Sequence, residues 1–148
     1  MPDAATQAAF DDIIEKMYQS VSGPKGPPDW AHERDIFHPN ARLMRVVPQP
    51  DGASRLKIMT IDQYMEDVTP FLSERDFYEV EIARRTEVFG DTATILSAYE
   101  YRFSPDGPTE KRGINSIQLY REGGRWRIIS MIWDNEREGV KLPAGLGG

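Results

Sequence analysis

The segment from Arg112 to Glu136 constrains the fold most strongly, because it has the pattern of two long strands joined by Gly123-Gly124. A glycine pair between two apolar runs is typical of a tight hairpin turn. Apolar residues occupy both alternating positions of each strand, so both faces of the hairpin are apolar. A sheet with one face in water carries polar residues on that face. We therefore expect this hairpin to be covered on both sides.

Two more predicted strands precede this hairpin and extend it into an antiparallel meander. They begin near Phe77 and are bounded by the turn sequences Gly90-Asp91 and Pro105-Asp106-Gly107. If each turn is a two-residue hairpin loop, the turn positions set the register, because side chains alternate between the two faces of a strand.

Three helices and one further hairpin are predicted in the preceding part of the chain. Apolar residues in Phe10–Val21 recur every three or four positions, which indicates an amphipathic helix. A short second helix is expected between Asp29 and Pro39, and a third begins at the capping box of Thr60–Gln63. The strands ARLMRVV and SRLKIMT flank Pro50-Asp51-Gly52 and should pair. The pattern predicts an α+β domain over residues 1–137, with helices on one face of a strongly curved antiparallel sheet, and a flexible tail over residues 138–148.

Composition argues against several functional classes. The 148 residues include 24 acidic and 18 basic residues, and the net charge of −6 opposes binding to phosphate backbones or anionic membrane surfaces. There is no cysteine to supply a disulfide, a thiolate nucleophile or a zinc ligand. No segment approaches about 18 consecutive apolar residues. We expect a cytoplasmic protein with neither a nucleic-acid nor a membrane partner.

Several motifs are similar to those of a known superfamily. The segments FHPNARL, FGDTATILSAYEY and RWRIISMIW resemble the nuclear transport factor 2-like superfamily, which includes SnoaL-like polyketide cyclases and ketosteroid isomerase. The segments FYEVEIARR and RGINSIQL are similar to a bacterial subgroup of it without a defined reaction. The likeness extends over nearly the whole chain. It implies a cone-shaped fold, an apolar pocket between helices and sheet, and a homodimer packed through the outer sheet face, but no single chemistry.

The register expected from the turns assigns one face of the meander to this pocket. That face combines large apolar side chains with a few polar ones, as small-molecule cavities do. The predicted pocket residues are Tyr18, Arg84, Ser97, Tyr99, Tyr101, Ile114, Ser116, Gln118, Met131 and Trp133.

The opposite face is predicted to form the dimer contact, because it is too apolar to remain in water. Its two apolar rows are Ala83, Ala98, Asn115 and Ile132, and Arg85, Leu96, Ile117 and Ser130. A third row brings together Glu81, Glu100 and Asp134, which repel one another unless a cation such as Arg102 reaches them. A bulge would move Glu100 or Asp134 into the pocket.

The chemical candidates each have a functional and a structural interpretation. Arg84 can bind an anion or pair with an acidic residue of a helix such as Glu66 or Asp67. Tyr99 and Tyr101 can stabilise an oxyanion or simply form the wall. His38 can act as a base or face water.

No cofactor or metal is predicted, because there is no glycine-rich phosphate loop and the two histidines are isolated. Where ketosteroid isomerase has a protonated acid in its oxyanion hole, this chain is expected to have Ser116. Three functions fit these features. One is an isomerase, cyclase or dehydratase acting on an apolar carbonyl compound. The others are a module that binds a small apolar or weakly anionic molecule, and a dimeric accessory domain.

Overall fold

A computed structural model describes residues 2–148, and these form an α+β domain with three helices and one six-stranded sheet. The elements are α1 (Ala4–Val21), α2 (Glu33–Ile36), β1 (Phe37–Pro48), β2 (Ser54–Met59), α3 (Ile61–Glu74), β3 (Tyr78–Phe89), β4 (Thr92–Arg102), β5 (Lys111–Glu122) and β6 (Arg125–Asn135). Among the helices of residues 2–148, none combines the length and apolar character that a membrane span requires.

The sheet has the order β2-β1-β6-β5-β4-β3 and is mixed. All neighbouring strands are antiparallel except β1 and β6, which pair in parallel with Leu43 opposite Met131. The prediction of a wholly antiparallel sheet was therefore wrong at this one pair. Turn sequences predict only pairings between consecutive strands, whereas β1 and β6 are separated in the chain by every other strand.

Local capping signals determine where the helices start. The Asp3 side chain accepts a hydrogen bond from the Thr6 amide at 2.8 Å and begins α1. The capping box predicted for α3 is confirmed, since Thr60 and Gln63 exchange side-chain to backbone hydrogen bonds of 2.9 and 3.2 Å. The helix continues past Pro70 to Glu74.

The second helix is shorter than the sequence indicated. Only Glu33–Ile36 is helical, and Pro39 lies inside β1. Asp29 accepts a hydrogen bond from the Ala31 amide at 2.9 Å, so it stabilises a turn ahead of the helix.

Helices α1 and α3 pack on one face of the sheet, here called the inner face. Most of the core lies between this face and the helices. The apolar side of α1 is buried there, and Phe10 meets Trp126 edge to face with ring centroids 5.1 Å apart. The opposite face is called the outer face.

Two bulges and one long loop change the register from the one expected. In β3, Glu81 lies opposite Tyr99 but Ala83 lies opposite Ala98, so Ile82 is an extra residue. This bulge turns Glu81 toward the inner face, away from the row that it was expected to share with Glu100 and Asp134.

The second bulge lies in β6, where Gln118 pairs with Ser130 and Leu119 pairs with Ile128. Ile129 is therefore the extra residue of this strand. The connection from β4 to β5 is also longer than a two-residue turn, and Tyr99 faces Gly113. As a result, Asn115 and Ile117 are buried on the inner face.

The placement of Ile114, Ser116 and Gln118 in the pocket was wrong, as was that of Asn115 and Ile117 on the outer face. Ser116 and Gln118 are exposed on the outer face, and Ile114 packs there with the C-terminal segment.

The C-terminal segment packs against the outer face, in contrast to the flexible tail expected over residues 138–148. Leu142 and Leu146 are buried in a second apolar cluster with Ala98. The Glu136 carboxylate accepts a hydrogen bond from the Leu142 amide at 2.8 Å, and Arg112 hydrogen-bonds the Gly147 carbonyl. Two leucines four residues apart thus cover part of the face that was predicted to form a dimer contact.

Candidate ligand cavity

A cavity of about 470 Å³ lies between α1, α3 and the inner face of the sheet. Aromatic rings form much of its wall. Phe77 and Tyr101 pack with their ring planes tilted by 39° and their centroids 4.8 Å apart, and Tyr64 meets Trp133 edge to face at 5.8 Å. Apolar walls with a few polar groups are the usual composition of a small-molecule site.

Glu79 is an acidic residue on the wall of this cavity. The bulge at Ile82 turns Glu79, like Glu81, toward the inner face. No other residue among 2–148 hydrogen-bonds the Glu79 carboxyl group, and Glu79 lines both the cavity and a second cleft beside α1. Burial raises the pKa of Glu79 to about 8, so its carboxyl group is mostly protonated at neutral pH.

The sequence interpretation missed Glu79, because it assumed a regular strand and assigned Glu81 to the outer face. One signal was available. In YEVEIARR, Glu79 and Glu81 alternate with Val80 and Ile82, so the two carboxylates had to share a face. The sequence does not reveal which face they share, because an extra residue decides it.

The tyrosine hydroxyl groups of the site fall into two classes. Tyr99 donates to Asn135 Oδ1 at 2.6 Å, and Tyr18 lies 2.7 Å from Ser97 Oγ, so both hydroxyls are engaged. Tyr64 and Tyr101 line the cavity, and no hydrogen bond within residues 2–148 engages their hydroxyls. Only this second pair is free to donate to a ligand.

The pKa values of these tyrosines are all raised. Burial is the main cause, and the nearby Glu79 carboxylate adds to the increase for Tyr18, Tyr64, Tyr99 and Tyr101. The hydroxyl groups therefore stay protonated around neutral pH and act as hydrogen-bond donors.

Arg84 lies in the cleft beside α1, apart from the main cavity. Its guanidinium group pairs with Asp11 at 2.6 Å and with Glu81 at 2.9 Å, and Ser97 donates to Glu81 at 2.6 Å. This arrangement matches the structural interpretation of Arg84 as the partner of a helix carboxylate, although the helix residue is Asp11 and not Glu66 or Asp67.

A charged group lies at the partly exposed edge of the cavity. Arg45 pairs with Asp67 at 2.7 Å and sits over the Trp133 ring, 5.5 Å from its centroid. Lys57 pairs with the other Asp67 oxygen at 2.5 Å. Burial opposes ionisation of Asp67, but hydrogen bonds from Lys57 and Arg45 lower its pKa. Two cations and one anion leave this edge with a net positive charge.

The structure separates the residues that were predicted to share the pocket. Tyr99, Tyr101, Met131 and Trp133 line the cavity. Tyr18 and Arg84 line the adjoining cleft, and Ser97 lies behind it, bonded to Tyr18 and Glu81.

The remaining chemical candidates lie outside the cavity or are paired. His38, at the start of β1, accepts a hydrogen bond from the Asn40 amide through Nδ1 at 3.0 Å.

Glu100 pairs with Arg102 at 2.7 Å, as expected for a cation that relieves the acidic row. Asp134 pairs with Arg137 at 2.6 Å. Residues 2–148 contain no group of three or more histidine, aspartate or glutamate side chains arranged to hold a metal ion.

Comparisons with known proteins identify the fold. No protein-family model and no curated protein matches the chain. A nuclear transport factor 2-like protein of unknown function from Shewanella baltica OS155 aligns with a TM-score of 0.63 and 14% identity, covering 93% of this chain and 98% of that one. The chain therefore has the nuclear transport factor 2-like fold.

Two other solved structures with this fold carry functional names. The hexachlorocyclohexane dehydrochlorinase LinA-type3 from Novosphingobium barchaimii LL02 aligns with a TM-score of 0.63 and 14% identity, covering 90% of this chain and 88% of that one. The CaMKII hub of S. rosetta aligns with a TM-score of 0.60 and 14% identity, covering 92% and 98%. At these identities the likeness concerns the fold alone.

Proposed function

We propose that this protein is an enzyme that transfers a proton on a small apolar carbonyl compound, as an isomerase or a dehydratase. Glu79 carries the proton, and Tyr101 donates a hydrogen bond to the carbonyl oxygen. The observation that carries this proposal is the Glu79 carboxyl group, which has no hydrogen-bond partner among residues 2–148 and lies on the wall of a mostly apolar cavity of about 470 Å³.

The proposed reaction begins with the carboxylate form of Glu79. It removes a proton from the carbon beside the carbonyl group, and the electron pair of that C–H bond moves onto the carbonyl oxygen. Tyr101 donates to the enolate oxygen that forms. In a compound with a double bond between its β and γ carbons, the enolate is a dienolate, and the proton on Glu79 then returns to the γ carbon, which isomerises the compound. In a compound with a hydroxyl group on the β carbon, the enolate instead expels that hydroxyl group, which takes the proton from Glu79 and leaves as water.

Two features support this chemistry. A carboxyl group whose pKa is near neutrality gives up and regains a proton readily at physiological pH. A similarly folded protein is a dehydrochlorinase, and its name describes an elimination. An elimination on a carbonyl compound needs the same two groups, a base and a donor for the developing charge.

The test measures exchange of hydrogen for deuterium at the carbon beside the carbonyl group, by NMR in heavy water, over a panel of apolar ketones. This readout requires no knowledge of the product. The wild type should accelerate exchange of at least one ketone, and Glu79→Gln should slow it by about 100-fold or more. Glu87→Gln, on the exposed side of the same strand, is the matched control and should exchange normally.

The pH dependence of the exchange tests the same assignment. Since burial raises the pKa of Glu79 to about 8, the carboxylate base becomes abundant only above that pH. The rate constant should rise about tenfold per pH unit below this value and level off above it. Binding of ketones without any exchange in the wild type would reject the enzyme and leave the cavity as the site of a ligand-binding module.

We also propose that the protein self-associates through the part of the outer face that the C-terminal segment leaves open. Met44 lies between Ile58 and Ile132 on neighbouring strands, and both isoleucines are exposed. Exposed apolar stripes of this kind are typical of contact surfaces. A similarly folded protein is a hub of CaMKII, and another is described as an association domain.

A further inference from the structure

A chain of hydrogen bonds runs behind the cavity wall, and its direction can be deduced. The Glu81 carboxylate is ion-paired with Arg84 and can only accept hydrogen bonds. Ser97, which has a single hydroxyl hydrogen, donates it to Glu81 at 2.6 Å. Ser97 Oγ must then accept from Tyr18, whose hydroxyl lies 2.7 Å away. Burial raises the pKa of Tyr18, so this hydroxyl keeps the proton that it donates.

This direction fixes the orientation of the Asn115 carboxamide. Tyr18 has already given its hydrogen to Ser97, so its oxygen can only accept another one. Asn115 Nδ2 supplies it at 3.1 Å. The reverse orientation would set Oδ1 against a hydroxyl group with no hydrogen left to give.

Tyr18 engages only one of the two polar atoms of the Asn115 carboxamide. The residue is only 5% exposed and lines the cavity, and no hydrogen bond within residues 2–148 engages its Oδ1. An amide oxygen on a cavity wall can accept a hydrogen bond from a bound molecule. It is therefore a fixed acceptor on the wall of the cavity.

We propose that Asn115 is a specificity-determining residue whose Oδ1 accepts a hydrogen bond from a hydroxyl group of the ligand, held in that orientation by Tyr18, Ser97 and Glu81. This deepens the function proposed above, on which it rests, because it defines the substrate as an apolar carbonyl compound that also bears a hydroxyl group. Tyr18, Ser97 and Glu81 act as positioning residues, since they act on the ligand only through Asn115.

The experiment compares the binding of naphthol and its methyl ether, two probes with the same rings of which only naphthol can donate a hydrogen bond. Dissociation constants are measured by calorimetry at about pH 6, where Glu79 is protonated. The wild type should bind naphthol about fivefold more tightly than the ether. In Asn115→Leu this preference should disappear.

The variant Ser97→Ala tests the positioning role without touching the cavity wall. Tyr18 then loses its acceptor and turns its hydrogen toward Asn115 Oδ1, which reverses the carboxamide. The preference for naphthol should fall to within about twofold of unity. Ser116→Ala, next to Asn115 but on the exposed outer face, is the matched control and should keep the wild-type preference. Thermal melting of each variant establishes that it is folded.

Glu79→Gln separates this inference from the proposed reaction. It should abolish exchange of ketone hydrogens but keep the naphthol preference, because Asn115 is intact. A preference lost in Glu79→Gln but kept in Asn115→Leu would assign the hydroxyl group to Glu79 and overturn the inference. Equal affinity for both probes in the wild type, or no binding of either, would also overturn it.

Discussion

The side chain of Glu33 makes the stability of this protein depend on pH. It is 2% exposed, and its Oε1 has no hydrogen-bond partner among residues 2–148. Burial raises the pKa of Glu33 from 4.5 to about 7, although the nearby Ser20 hydroxyl opposes that increase. The folded state therefore binds this proton more tightly than the unfolded state. We therefore expect the free energy of unfolding to fall as the pH rises from about 4.5 to about 7.

The variant Glu33→Gln should remove this dependence. Above about pH 7 the wild type holds a buried carboxylate whose Oε1 has no hydrogen-bond partner among residues 2–148, so the variant should be more stable there, by up to about 3 kcal/mol. Near pH 4 the two proteins should differ little. Urea unfolding over a series of pH values measures this, with the exposed Glu15→Gln of α1 as control. Some slope will remain, because Glu79 titrates in the same direction. An unchanged slope in Glu33→Gln would contradict the assignment.

At the level of single residues, the sequence predicted the wall of the cavity better than its chemistry. Alternation placed Tyr99, Tyr101 and Trp133 on one face, where all three line the cavity. The sequence could not separate the engaged hydroxyl of Tyr99 from the free hydroxyl of Tyr101. That difference depends on Asn135, which lies beside Tyr99 because β6 pairs with β5.

At the level of secondary-structure elements, caps and turns were predictable because their signals are local. The Thr60 capping box and the hairpin of β1 and β2 follow from a few adjacent residues. The extra residues Ile82 and Ile129 have no such signal, because each is an ordinary apolar strand residue that bulges only in its tertiary context. An extra residue in a strand moves the side chains beyond it to the opposite face of the sheet. The two bulges therefore help to decide which polar groups enter the cavity.

The C-terminal segment also acts as an element, because it is attached to the sheet by its leucines. Leu146 is completely buried in the outer cluster. Leu146→Ala should lower the free energy of unfolding by about 2–4 kcal/mol, through lost burial and the cavity left behind. Val140→Ala in the same segment removes an exposed side chain and should change it by less than about 0.5 kcal/mol. Denaturant unfolding compares them, and equal stability of both variants would show that the segment contributes no packing energy.

At the level of the whole molecule, the sequence predicted the layers of the fold, because helix and strand periodicities segregate along the chain. It did not predict the parallel pairing of β1 with β6, which brings Arg45 opposite Trp133. That pairing joins the start of the sheet to its end and places the charged edge of the cavity beside its aromatic wall. The cavity is therefore a product of long-range topology, although local periodicity predicted the helices and strands that form its walls.

Self-association is the prediction that concerns the whole molecule. The stripe of Met44, Ile58 and Ile132 lies outside the area covered by Leu142 and Leu146. Burying it against a second copy would remove apolar surface from water, whereas a glutamate there would have to be desolvated without a partner.

The variant Ile132→Glu should therefore weaken the dimer by about tenfold or more, measured by analytical ultracentrifugation over a concentration series. Native mass spectrometry gives the subunit count. Phe89→Glu is the matched control, because Phe89 is 86% exposed at the turn between β3 and β4, away from the stripe. If the wild type is a monomer at every concentration, the stripe is not a self-contact. If Phe89→Glu weakens the dimer and Ile132→Glu does not, the copies meet at the β3–β4 hairpin.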